Sequence, residues 1–282
     1  MPFSLEKPSA VTLDDGAVLS YVREGSGPTL IFVHGVLGDW RSWRPQWPAF
    51  TVRYDCISYS CRFNYPNGNV NEAPHHSAVE NAADLEAFMD RLGIESAVLV
   101  GSSYGGFTAL AMAVRAPARV RALVAVEPPM MKYAEMFADT APVAAAFRAK
   151  TVVTSRAAFA RGDDELGTAL LTGGIANRPA DSLPTEVMIR RMQNVMAGRR
   201  VALSSDEFPL LEPAALAALA MPVMLVSGAN TGPIFKAIFS GITRTMPQAR
   251  VAIVAGAGHS VASDQPGEFN ARVLDFLGHP AG

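Results

Sequence analysis

Ser103 lies at the centre of Gly101-Ser102-Ser103-Tyr104-Gly105, a G-x-S-x-G pattern between the apolar run Ala97 to Val100 and the Ala-rich run Phe107 to Val114. A serine placed between a strand and a helix occupies a turn so sharp that the residues two before and two after it must be small. That turn leaves the hydroxyl exposed at the strand end. The chemistry suited to such a serine is nucleophilic attack on an acyl carbonyl. It needs a base to take the serine proton, an acid to orient the base, and two N–H groups to receive the developing negative charge.

Candidates for each role can be read from position. His34-Gly35-Val36-Leu37-Gly38 directly follows the apolar run Leu30 to Val33, as an oxyanion loop would, and it offers the backbone N–H of Val36 to be paired with that of Tyr104. Five histidines compete for the base. His34 is assigned to support of the oxyanion loop, His75 and His76 beside Pro74 to a surface loop, and His279 is almost at the C-terminus. His259, in Gly256-Ala257-Gly258-His259 after the apolar run Val251 to Val254, is both late in the chain and on a strand-end loop. It is the candidate general base.

The elements that must hold these residues begin with Leu19 to Arg23 and Leu30 to Val33, predicted as strands, with the turn Gly25-Ser26-Gly27-Pro28 joining them as a hairpin. Strand and helix then alternate. Val52 to Ile57, Ala97 to Val100, Ala122 to Val126, Val223 to Ser227 and Val251 to Val254 are predicted strands of a mostly parallel sheet covered on both faces. The spacing of Val79, Ala82, Leu85, Met89 and Leu92 predicts a helix over Ala78 to Leu92, opened by a Ser77/Glu80 capping box and closed by Gly93. Pro266 opens a last helix, with Phe269, Val273 and Phe276 toward the sheet.

Between Pro128-Pro129 and Pro222 the strand pattern vanishes for about ninety residues, too long for a structureless loop in a compact domain. Helical stretches at Val143 to Lys150, Thr185 to Met196 and Pro213 to Ala220 indicate a helical cap over 130–206, the last stretch returning to the core. The expected organisation is a core of 1–129 and 207–282 with that cap inserted.

The His34-Gly35 loop, the Gly101-x-Ser103-x-Gly105-Gly106 elbow and the Gly256-x-Gly258-His259 loop together resemble the α/β-hydrolase superfamily over nearly the whole chain. The resemblance implies an α/β fold and a serine ester-hydrolase chemistry that needs no metal or organic cofactor. Relatives with an aspartate nucleophile, such as haloalkane dehalogenases and epoxide hydrolases, are excluded by Ser103.

Two departures from the superfamily pattern stand out. Relatives commonly carry the triad acid in a G-x-x-D run after the next-to-last strand, yet here that loop is Gly228-Ala229-Asn230-Thr231-Gly232, without a carboxylate. Glu127 ends an apolar strand, where a charge is costly unless paired, and some superfamily members, including certain haloalkane dehalogenases and a mycotoxin lactonase, carry their acid after this strand. Glu127 is the candidate acid, with Asp206 and Glu207 as alternatives. The second departure is a long loop, Ser58 to Asn67, whose aromatics either line a pocket or pack on the sheet edge. Gly35, Arg62 and Trp40 are the candidate substrate contacts, while Trp43 and Trp47, at helical spacing, are expected in the core.

Composition narrows the remaining classes. The chain has 282 residues, 49% of them hydrophobic, enough for one large core with an appended lid. Its net charge of −2, with basic residues scattered, argues against a nucleic-acid partner. The opening Met1-Pro2-Phe3-Ser4 lacks a basic stretch followed by an apolar one, and no apolar run spans a membrane unbroken, so a cytoplasmic monomer or homodimer is expected. Cys56 and Cys61 are expected as free thiols. The expected activity is hydrolysis of a carboxylic ester or lactone of a small, hydrophobic substrate. The alternatives are amide or carbon–carbon bond hydrolysis, a cofactor-free lyase, or a non-catalytic binding protein.

Overall fold

In the computed structural model, which describes residues 8–69 and 76–279, eight strands are formed. They are β1 (Ser9–Thr12), β2 (Val18–Glu24), β3 (Thr29–Val33), β4 (Asp55–Tyr59), β5 (Ala97–Ser102), β6 (Val120–Val126), β7 (Val223–Gly228) and β8 (Arg250–Val254). They make one sheet in the order β1-β2-β4-β3-β5-β6-β7-β8, antiparallel at β1-β2 and β2-β4 and parallel from β4 onward. Helices on both faces explain why the central strands are continuous apolar runs rather than alternating ones.

One face is covered by the helices Ala78–Arg91, Tyr104–Arg115 and Pro233–Thr245, which bury Leu85, Phe88, Phe107, Leu110, Ile238 and Ile242. The other is covered by the Trp40–Trp43 turn, the Trp47–Phe50 turn and the Pro266–Gly278 helix, whose Phe269, Val273 and Phe276 are buried there as the spacing predicts. The Ser77/Glu80 capping box forms, and Gly93 takes a left-handed φ of 65° just beyond the helix end.

The expected hairpin does not form. β4 lies between β2 and β3, pairing Arg23 with Ile57 on one side and Thr29 with Asp55 on the other. Gly25 and Gly27, at φ of 97° and 113°, carry the chain across with their α-carbons against the Thr51–Tyr54 backbone, where a Cβ would collide. β4 also starts later than predicted, because Val52 is in a turn and 75% exposed.

Between β6 and β7 the chain is helical: Met131–Glu135, Ala141–Phe147, Val153–Ala160, Asp164–Ile175, Thr185–Met192 and Val195–Leu203. The predicted Thr185 to Met196 helix breaks at Gln193-Asn194, because the buried Asn194 side chain is bound by residues of the core. Met131–Glu135 packs on the Pro233–Thr245 helix, where Gly241 lets the Tyr133 backbone approach. Cys56 and Cys61 are free, and burial pushes both thiols up to about 12. Among the described residues no helix is long and apolar enough to cross a membrane.

Candidate active site

Ser103 has φ 53° and ψ −121°, a conformation that costs a non-glycine residue about 1–3 kcal/mol and persists only where its surroundings enforce it. Its N–H donates to Val126 O at 2.7 Å, fixing the turn to β6. A Cβ on Gly101 would strike the Gly105 backbone, and one on Gly105 would strike the carbonyls of Val33 and His34. The two glycines of the motif are therefore demanded by backbone contact across the elbow. Tyr104 begins the helix, so its N–H is one of those that no helical carbonyl can reach. Among the described residues neither this N–H nor that of Val36 has a protein acceptor.

The loop bearing Val36 is held from several sides. Cys61 N–H donates to Nε2 of the buried His34 at 3.0 Å, so the His34 proton is on Nδ1, which donates to Gly35 O at 2.8 Å. Burial lowers the His34 pKa, consistent with this neutral form. Asn64 Nδ2 donates to Val36 O at 2.7 Å and to Gly38 O at 2.8 Å, and Arg191 donates to Leu37 O at 2.9 Å. Gly35 lies against the nucleophile candidate; a Cβ there would come within 3.5 Å of Ser103 Cβ.

Glu127 follows β6 with φ 46° and is only 3% exposed. Its Oε1 accepts from Ser227 Oγ at 2.6 Å and Gly228 N at 3.0 Å, and its Oε2 accepts from Thr231 Oγ1 at 2.6 Å and meets His259 Nδ1 at 2.9 Å. Burial by itself would raise the carboxyl pKa. The hydrogen bond and charge of His259, together with Ser227 and Thr231, outweigh burial and hold it below the ordinary glutamate value. An ionised Glu127 accepts the Nδ1 proton, which leaves Nε2 of His259 as the basic lone pair. The Phe235 ring lies under the imidazole, with centroids 3.9 Å apart and planes at 34°. Among the described residues Ser103 Oγ makes no hydrogen bond to His259, a looseness common where substrate is needed to tighten the contact.

Ser103, His259, Val36 and Gly35 open onto a cavity of about 460 Å³ that is also lined by Thr172, Ile175, Leu183, Val187 and Arg191. A second cavity of about 70 Å³ also reaches Ser103, Val36 and Tyr104.

The structure does not bring Trp40 or Arg62 to the cavity. Trp40 is 4% exposed and packs in the cluster under the sheet; Trp43 and Trp47 are buried in the same cluster as expected, Trp43 also touching the cavity wall. The cause is the Asp39 cap, which winds Trp40–Trp43 into a tight helical turn and turns the first tryptophan inward. Arg62 is held by Asp84 and by Asp15, tying the Ser58 to Asn67 loop to the Ala78–Arg91 helix. Asp206 pairs with Lys132, and Glu207 lines the smaller cavity, neither bonding to His259. His76 is buried, bonded to Asn81 and Tyr104 Oη, rather than in a surface loop; His75 lies outside the described residues. Ser227, Thr231, Phe235, Asn64 and Asn194 were not anticipated. The hydroxyls of Ser227 beside the carboxylate-free 228–232 loop and of Thr231 within it are the one signal the sequence carries.

A family model for the alpha/beta hydrolase fold matches residues 28–266. The chain belongs to that family. Among curated relatives, mouse bifunctional epoxide hydrolase 2 is 31% identical over 122 residues, which are 43% of this chain and 22% of that protein, so the match spans about a fifth of the relative's length. Carboxylesterase YbfK of Bacillus subtilis is 27% identical over 263 residues, covering 89% of this chain and 80% of the esterase. Among solved structures, a hydrolase from Pseudomonas aeruginosa superposes with a TM-score of 0.77 at 22% identity, covering 98% of this chain and 100% of that one, a likeness of fold.

Proposed function

We propose that this hydrolase cleaves a carboxylic ester or lactone of a small molecule through an acyl-enzyme on Ser103, with His259 as general base and Glu127 as the acid that orients it. The observation that carries the reading is the 2.9 Å contact between Glu127 and His259 Nδ1 at a cavity that also exposes the strained Ser103. Ser103 Oγ attacks the carbonyl carbon while its proton passes to His259 Nε2. The carbonyl oxygen becomes an oxyanion received by the N–H groups of Val36 and Tyr104, each donor contributing about 3–4 kcal/mol to the barrier reduction. His259 then gives the proton to the leaving alkoxide as the carbon–oxygen bond breaks. Water, deprotonated by the same imidazole, attacks the acyl carbon, and the acid departs as Ser103 regains its proton.

Residues 130–206 act in this reading as a cap on a core of 1–129 and 207–282. Support comes from Ile175, Val187 and Arg191, which line the same cavity as Ser103. The test is labelling by a fluorophosphonate, with the adduct located by peptide mass, together with turnover of a panel of aryl esters, alkyl esters, lactones and anilides. Labelling at Ser103 with ester or lactone turnover above anilide turnover is expected; an unlabelled Ser103 ends the reading.

A further inference from the structure

Ser103 stands where two cavities of opposite character meet. The smaller, about 70 Å³, is walled by Met131, Phe147, Leu171, Phe208 and Ile238. The larger, about 460 Å³, holds His259 and two arginines, Arg178 and Arg191. In acyl transfer the base hands its proton to the leaving group, so the leaving group departs on the His259 side. The alcohol part of the substrate therefore occupies the larger cavity and the acyl part the smaller. At roughly 30 Å³ per water molecule, the smaller one has the space of two or three waters, which fits a short acyl chain.

Arg191 gives the larger cavity its second property. Asp39, the nearby carboxylate, is gripped by Arg41 through both oxygens and faces Arg190 at 4.0 Å. Arg191 donates one hydrogen bond, to Leu37 O, and among the described residues pairs with no carboxylate. Burial, with the charge of Arg190 adding to it, holds its pKa below the usual arginine value against the pull of Asp39, yet a guanidinium in this setting stays charged. A partly buried cation with donors to spare is stabilised most by an anion that accepts two of them. Arg178, the second cation, gives one weak bond to Ser182 Oγ at 3.3 Å. The acidic residue on this wall, Asp264, is engaged by Gly258 N–H at 2.8 Å. The small cavity is lined almost wholly by apolar surface, so a carboxylate placed there would be buried without a partner.

Resting on the acyl-transfer reading above, we infer that the substrate is a short-chain acyl ester of an alcohol that itself bears a carboxylate, with Arg191 binding that carboxylate. The test compares kcat/KM for para-acetoxybenzoate and its neutral counterpart para-acetoxybenzamide, for phenyl hydrogen succinate with its carboxylate on the acyl side, and for a series of longer acyl esters of para-hydroxybenzoate. The carboxylate on the alcohol side is expected to raise kcat/KM about tenfold or more, chiefly through KM. Arg191→Met should bring that ratio to near one, and Arg191→Lys should keep part of it. Turnover should fall steeply once the acyl chain exceeds about four carbons. Should Arg191→Met not fold, inhibition of the parent by para-hydroxybenzoate against para-hydroxybenzamide reads the same preference, about tenfold in favour of the acid. Equal kcat/KM for the acid and the amide, a preference unchanged in both Arg191 variants, or a preference for phenyl hydrogen succinate overturns the inference and leaves the serine hydrolase reading in place. Failure of every ester, with Ser103 unlabelled by the fluorophosphonate, overturns both.

Discussion

The carboxylate of Glu127 meets Nδ1 of His259 at 2.9 Å across 132 residues of sequence. The loop after β7 cradles a carboxylate that arrives from β6. Ser227, Gly228 and Thr231 all donate to Glu127, so the two strand ends share one carboxylate. Four donors satisfy its lone pairs, which is what allows a charge to remain ionised while 3% exposed.

Glu127→Gln is expected to lower kcat by about three to four orders of magnitude, because an amide no longer holds the imidazole in the productive tautomer or stabilises its cation. Since every partner of Glu127 is a donor, the introduced NH₂ also opposes Ser227 or Thr231 and should cost about 1–3 kcal/mol of stability. Asn230→Ala, at an exposed position, should change kcat less than twofold by comparison. Steady-state kinetics and urea unfolding of both variants check this; a Glu127→Gln enzyme within tenfold of the parent would falsify the assignment.

Ser103→Ala should abolish turnover and fluorophosphonate labelling while leaving the melting temperature close to the parent's. Ser102 is the informative control. It is half-buried and also lines the larger cavity. Ser102→Ala is expected to keep labelling and most of kcat, with a change confined to KM. Loss of labelling in Ser102→Ala with retention in Ser103→Ala would mean that the neighbouring serine is the nucleophile.

Thr231→Val removes the hydroxyl that shares Oε2 of Glu127 with His259 and keeps the side-chain shape. The carboxylate then swings more freely, and kcat should fall by about tenfold, equivalent to roughly 1.4 kcal/mol, with KM little altered. A purely structural role for Thr231 would instead lower the melting temperature and leave kcat of the folded fraction unchanged, so the two measurements made side by side decide between them.

Much of this arrangement was legible because each feature follows from a local demand. Gly101 and Gly105 must be small for the backbones at the elbow to touch, and the sheet strands read as apolar runs because both faces are covered. Glu127 was visible as a charge ending such a run. What local pattern could not convey was pairing and packing at a distance. The Gly25 to Pro28 turn suits a hairpin, but the inserted β4 offers both β2 and β3 a hydrogen-bonding edge. Trp40 is core rather than a pocket residue because the Asp39 cap sets the phase of a four-residue turn. His76 sits beside Pro74, as a surface loop would have it, and is nonetheless covered by Phe63 and bonded to Tyr104 Oη.

That buried His76 makes stability depend on pH. Burial lowers its pKa from 6.5 to about 4, with the charges of Arg200 and Arg62 acting in the same sense and Glu80 opposing them. As pH falls below 6.5 the unfolded chain protonates this histidine while the native protein does not, so the unfolded state binds more protons and stability declines until about 4, where the native form also titrates. The full window is worth about 3 kcal/mol, and about 2 kcal/mol of it is lost between pH 7.5 and pH 5. His34, whose pKa burial also lowers, adds loss of the same sign. Glu127, with its pKa held below 4.5, contributes stability that is lost only at lower pH. Urea unfolding at both pH values should therefore show the parent losing about 2 kcal/mol more than His76→Gln, which keeps a hydrogen-bonding side chain but cannot be protonated. Equal losses in the two proteins would mean that His76 becomes charged in the native state.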